Sequence, residues 1–78
     1  MAIPKNYSFR EFKKLVKPFG ISWSSAKGKG SHGGFVGLDK SGNRQAYTVP
    51  DSERREIRKR YIKRFLVRFG LSESDLFG

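Results

Sequence analysis

The sequence has no cysteine and a single histidine, and no apolar run in it approaches the roughly 20 residues that a membrane-spanning helix needs. Without thiols there is no disulfide, no thiolate zinc site and no cysteine nucleophile. One histidine excludes a multi-histidine metal centre within one chain, so neither a metal nor another cofactor is expected. The opening residues carry no secretory apolar segment, and a chain free of cysteine suits a reducing compartment. The reading is therefore a soluble, cytoplasmic protein with no membrane partner. Acid is also scarce, with seven Asp and Glu against seventeen Lys and Arg, a net charge of +10.

Such an excess of positive charge points to a polyanionic partner: RNA, DNA or an acidic protein surface. The chain is nevertheless no disordered basic tail, because aromatic residues make up 14% of its 78 positions and can supply a core. Residues 1–78 read as one small domain whose core is marginal without covalent staples.

The apolar spacing places the elements. Ser8 with Glu11 forms a capping box, with Tyr7 as a staple residue. Phe9, Phe12, Leu15, Val16 and Phe19 then share one helical arc, with Lys13, Lys14 and Lys17 opposite. This predicts a helix over 8–19 that Pro18 kinks or shortens and Gly20 closes. Alternation in Ile21–Ser25 predicts a strand, and Phe35–Leu38 a second. Residues 39–43, with Gly42 free to take a positive φ, predict a hairpin loop into a third strand over Arg44–Val49. Pro50 ends that strand. A second helix is expected from Asp51 or Ser52 to Gly70. Ile57, Tyr61, Ile62, Phe65, Leu66 and Phe69 share its inner arc with Arg54 and Arg58, so its first turns are expected to overhang the core and burial to begin from Tyr61, with Lys59, Arg60, Lys63 and Arg64 outward. Ser72 to Asp75 is a further capping signature, opening a short turn that tucks Leu76 and Phe77 onto the domain. The expected class is α+β, in the order α-β-β-β-α, with both helices on one face of a three-stranded antiparallel sheet.

The stretch Gly28-Lys29-Gly30-Ser31-His32-Gly33-Gly34-Phe35 holds the only imidazole. Histidine alone titrates near neutral pH when unperturbed, with a pKa of about 6.5. Glycines on both sides allow close backbone approach to a phosphate, or simply a tight turn between strands. Cleaving RNA without metal needs a base for the ribose 2′-hydroxyl, an acid for the departing 5′-oxygen and positive charge for the crowded phosphorane. His32 can supply one proton transfer, and Lys27 or Lys29 the charge. Those lysines also favour the neutral, base-competent imidazole. On its own residues the plainer reading of His32 is an ordinary loop side chain. Ser31 and Gly30 can position the imidazole or a phosphate oxygen, or be solvated loop residues. Trp23 and Tyr47 can stack on bases, although aromatic residues at inward strand positions are more often core.

The basic run from Arg54 to Arg68 has only Glu53 and Glu56 near it. It is read as a phosphate-tracking surface, with Arg55, Lys59, Arg60 and Lys63 as the candidate contacts.

Gly30-Ser31-His32 leading into Phe35, the strand end Tyr47-Thr48-Val49-Pro50, and a basic stretch entering a helix that ends Phe69-Gly70-Leu71-Ser72 together resemble the HicA family. These are the mRNA-interferase toxins of HicA/HicB toxin–antitoxin pairs, and the resemblance runs over residues 8 to 77. It implies a fold similar to double-stranded-RNA-binding domains and a catalytic role for His32. The activity implied is metal-independent endoribonuclease cleavage of mRNA, and the partner a HicB-like antitoxin that covers the site. The toxin alone is expected to be a monomer. The sequence departs from the family's usual pattern at Gly33-Gly34, where bulkier residues commonly follow the histidine. A non-catalytic double-stranded-RNA-binding module uses the same fold and charge. A small DNA- or partner-binding protein with an incidental histidine is the third possibility.

Overall fold

The computed structural model describes residues 3–24 and 33–78. The chain is α+β, and its central element is a three-stranded antiparallel sheet of β2 (Ser22–Ser24), β3 (Gly33–Leu38) and β4 (Arg44–Val49), with β3 in the middle. Helices α1 (Phe9–Val16) and α2 (Lys59–Phe69) pack on one face of this sheet. A second, two-stranded antiparallel pair joins β1 (Asn6–Ser8) to β5 (Glu56–Arg58). Helix α3 (Glu73–Phe77) follows α2.

The first helix starts as its sequence dictates, with the Ser8 hydroxyl accepting from the Glu11 N–H at 3.3 Å. The reciprocal half of the capping box is not made. Glu11 instead reaches Lys14 at 3.7 Å. The α-helical ladder ends at Val16 and a 3-10 turn, Lys17–Phe19, carries the chain to Gly20. That tightening turns Phe19 outward, 37% exposed, whereas the regular period had assigned it to the core.

The core is a chain of rings. Phe65 on α2 lies 5.1 Å from Phe12, 5.2 Å from Phe35 and 4.7 Å from Phe69, measured between centroids. Phe35 in turn meets Phe9 and Trp23. Edge-to-face pairs at these distances add about 0.5–1.5 kcal/mol each beyond the area they bury. Alternation along the strands sends Trp23, Phe35, Tyr47 and Val49 to the helix side. Ser22, Ser24, Val36, Ala46 and Thr48 take the other side, and none of these five is buried.

The largest difference from expectation lies between Pro50 and Lys59. The second helix does not begin at Asp51 or Ser52. Asp51–Glu53 is a single 3-10 turn, residues 56–58 are extended, and α2 starts at Lys59. Two backbone bonds frame the extended stretch: the Phe9 N–H donates to the Arg55 carbonyl at 3.1 Å, and the Lys59 N–H to the Lys5 carbonyl at 3.0 Å. Glu53 locks it. Its carboxylate is fully buried and accepts from the Arg58 N–H, Nε and Nη2 at 2.8, 2.8 and 2.6 Å. Ile57 is buried in the strand as it would have been in a helix, so its periodicity does not discriminate between the two.

Burial pushes the Glu53 carboxyl up, but the Arg58 hydrogen bonds and charge outweigh it and hold the group below its ordinary 4.5. A carboxylate depressed on folding contributes stability that is fully present above the unfolded value and lost as pH falls through the folded one. The urea midpoint is therefore expected to hold from neutrality to about pH 4.5 and then fall. Glu53→Gln should flatten that acid limb; an unchanged acid limb in the variant would remove Glu53 as its cause.

The C-terminal end is tied down as its sequence suggests. Gly70 takes φ 67° and closes α2, and Ser72 and Asp75 form a reciprocal capping box on α3. Leu76 is buried, and the Phe77 ring stands edge-on to Tyr7. Lys40 in the hairpin loop pairs with Asp75 at 2.8 Å and donates its N–H to the Phe69 carbonyl, joining the loop to both helix ends.

Candidate nucleic-acid interface

The candidate catalytic residue His32, with Lys27, Lys29, Gly30 and Ser31, lies outside the described residues. What the structure describes is the frame at both ends of that stretch. The chain leaves β2 at Ser24 and enters β3 at Gly33, with Ser24 opposite Gly34, so both ends lie at one end of the sheet. At the same end Gly33 is opposite Val49, after which Pro50 turns the chain away. Gly33 and Val49, 16 positions apart in sequence, are thus direct partners across the sheet.

Gly33 has a packing reason. A Cβ there would fall 2.3 Å from Cζ2 of Trp23, whose ring lies across the backbone of β3. The indole is held edge-on to Phe9 at 4.9 Å and Phe35 at 5.1 Å, so it cannot swing aside freely. Trp23 is a partly buried member of the core and therefore fills the space that a bulkier residue after the histidine would need.

Arg54 is brought to this end as well, its guanidinium 5.8 Å from the centroid of the Trp23 ring. Sequence reasoning placed Arg54 in the first turns of a helix, overhanging the core. It is exposed as that reading implies, but in a non-helical stretch between the 3-10 turn and β5. Only the 3-10 turn and the Glu53 clamp give its direction, and neither has a periodic signature.

The four described candidate contacts are all exposed but do not form one cluster. Arg55 borders a surface hollow with Asn6, Ser52, Glu56 and Arg58. Lys59 and Arg60 form the first turn of α2, where the N-terminal end of the helix dipole adds to their charge. No acid lies in that turn and no side chain caps it. Arg60 and Arg58 also stand 5.2 and 5.8 Å from the Tyr61 ring. Lys63, one turn on, lines a separate groove with Tyr47, Arg64, Val67 and Arg68. Tyr47 is buried and donates its hydroxyl to the Tyr61 carbonyl at 3.2 Å, and burial raises its pKa. It is a core residue joining β4 to α2.

Among the described residues no three His, Cys, Asp or Glu side chains come together as a metal site, and no helix is long and apolar enough to cross a membrane. Compared with family models, with curated proteins and with solved structures, the chain finds no match in any of the three.

Proposed function

We propose that the protein is a metal-independent endoribonuclease of HicA-like type that cuts mRNA, with His32 as its proton-transfer group. The observation that carries this reading is the register of β3 against β4, which sets Gly33, the residue after His32, opposite Val49. The chemistry follows from the residues. A base removes the proton of a ribose 2′-hydroxyl, the 2′-oxygen attacks the adjacent phosphorus, and the 5′-oxygen leaves with a proton. His32 serves one of these transfers. Lys27 and Lys29 offset the charge that builds on the phosphorane, with Ser31 and the Gly30 amide positioning oxygen. Arg55, Lys59, Arg60 and Lys63 hold the flanking backbone through phosphate contacts that carry no sequence information. The architecture suits a fold of double-stranded-RNA-binding type, in which phosphates across a groove are met by helix and loop. In the cytoplasm such an enzyme would need neutralising, and an acidic HicB-like antitoxin covering the basic face would do so.

The test is incubation of purified protein with end-labelled mRNA in EDTA. The expected products carry a 2′,3′-cyclic phosphate on one fragment and a 5′-hydroxyl on the other. Salt-sensitive binding of duplex RNA with no scission over hours would instead assign a non-catalytic RNA-binding module.

A further inference from the structure

Among the described residues no strand covers the outer edge of β4, and we propose that it receives an extended acidic segment of a partner protein as a fourth strand. The hydrogen-bonding phase of the hairpin shows which backbone groups are available. The Asp39 N–H donates to the Asn43 carbonyl at 2.8 Å, just beyond the Leu38–Arg44 pair. In an antiparallel ladder this makes Leu38–Arg44 a non-hydrogen-bonded pair, and the pairs alternate from there. Gln45, Tyr47 and Val49 therefore exchange bonds with β3, whereas Arg44, Ala46 and Thr48 turn their N–H and C=O groups outward. All three of these residues are exposed, and among the described residues no strand pairs with that edge.

An edge left open normally carries a device against pairing: a proline, a bulge, or a charge pointing inward. β4 has none of these. Its register with β3 is continuous over six residues, no proline falls within it, and its inward side chains are Gln45, Tyr47 and Val49. A six-residue edge of this kind is a template for strand addition.

The groove beside this edge selects the occupant. It is lined by Tyr47, Lys63, Arg64, Val67 and Arg68, three cations with no acid, and Val67 is an apolar side chain 82% exposed in their midst. An added strand alternates its side chains between this groove and the open sheet face. Acidic residues on one side would meet the cations, and small or apolar residues on the other would continue the surface of Ala46 and Thr48. A second copy of this chain fits poorly, since each carries a net charge of +10. RNA would use the cations but not the row of backbone donors and acceptors. The partner of the preceding section is the natural source of such a strand, and to that extent the proposal rests on that reading; the edge itself requires nothing of His32.

The probe is a fluorescein-labelled ten-residue peptide of alternating valine and glutamate. Binding to the full chain is followed by anisotropy, and amide exchange at Arg44, Ala46 and Thr48 by NMR. The peptide should bind and slow exchange at those three amides, and a version N-methylated at alternate residues should not. Ala46→Pro removes an outward N–H and no β3–β4 bond, so the variant should keep its fold and its RNA cleavage while its Kd for the peptide rises at least tenfold. Arg64→Glu with Arg68→Glu, both on the exposed helix surface, should keep the fold and raise the Kd for the peptide at least tenfold as well. No binding at 1 mM peptide would overturn the proposal, as would equal binding by the methylated peptide or by folded Ala46→Pro. So would a dimer in sedimentation that Ala46→Pro dissolves, or loss of duplex RNA alone on charge reversal. Failure of RNA cleavage with peptide binding intact would remove the ribonuclease reading and leave the edge standing.

Discussion

Replacing His32 with alanine is expected to slow RNA cleavage by about 10²–10⁴-fold, the range over which one positioned proton donor or acceptor acts. RNA affinity should hardly change, because a neutral imidazole adds little to binding supplied by seventeen Lys and Arg. The split between rate and affinity is the informative result. A loss of folding would lower both together, and a lost phosphate contact would lower affinity and shallow its salt dependence. The readout is single-turnover cleavage at saturating protein, with filter binding at several salt concentrations. Expression of wild-type protein alone should slow growth, and the variant should not. Cleavage by the variant at the wild-type rate, in a preparation free of contaminating nuclease, would remove His32 from the mechanism.

Phe65→Ala is expected to cost about 3–5 kcal/mol, the range for deleting a buried aromatic ring. Phe65 is fully buried and its ring meets those of Phe12, Phe35, Tyr47 and Phe69, which come from α1, β3, β4 and α2. Its removal therefore leaves a cavity where both helices meet the sheet, bordered by rings that cannot all collapse inward. Each kcal/mol lowers the melting temperature of a domain this small by about 4–8 °C, so a fall of more than about 12 °C is expected. Thermal unfolding by circular dichroism reads it directly, and the variant should be largely unfolded at 37 °C if the parent stability is at the low end for single domains. Phe65→Leu, which keeps most of the volume, should lose much less. A fall of under 4 °C for the alanine variant would mean that the core is not centred on this ring.

The legible parts of the fold were those with a local cause. Ser8, Gly20, Gly70 and the Ser72–Asp75 pair each act on backbone groups within a few residues: Gly70 and the Ser72–Asp75 box cap as predicted, Ser8 makes one half of its box, and Gly20 closes a 3-10 turn beyond the helix end. The Arg44–Val49 strand was readable to the residue because the turn before it and Pro50 after it are both local stops. Residues 51–58 were not readable, because their extended form depends on β1 some 50 positions away and on a carboxylate buried five residues from its partner. A basic stretch with Ile57 inward fits a helical period as well as a strand. Trp23 was placed in the core, but its position across the Gly33 backbone was not foreseen, since cross-strand packing has no spacing along the chain.

Composition, charge and short-range signals determined by themselves an α+β chain that carries +10, holds one histidine among glycines, and sets eight of its seventeen Lys and Arg between Arg54 and Arg68. They could do so because each depends on residue type or on neighbours within a turn. Only the tertiary structure decided that Gly33 meets Val49, that Arg54 reaches Trp23 rather than the core, and that β4 keeps an edge open beside Lys63, Arg64 and Arg68. Those are contacts between distant segments, set by strand register and by the buried Glu53 carboxylate that holds Arg58 extended ahead of a helix, and neither leaves a periodic trace in the order of residues.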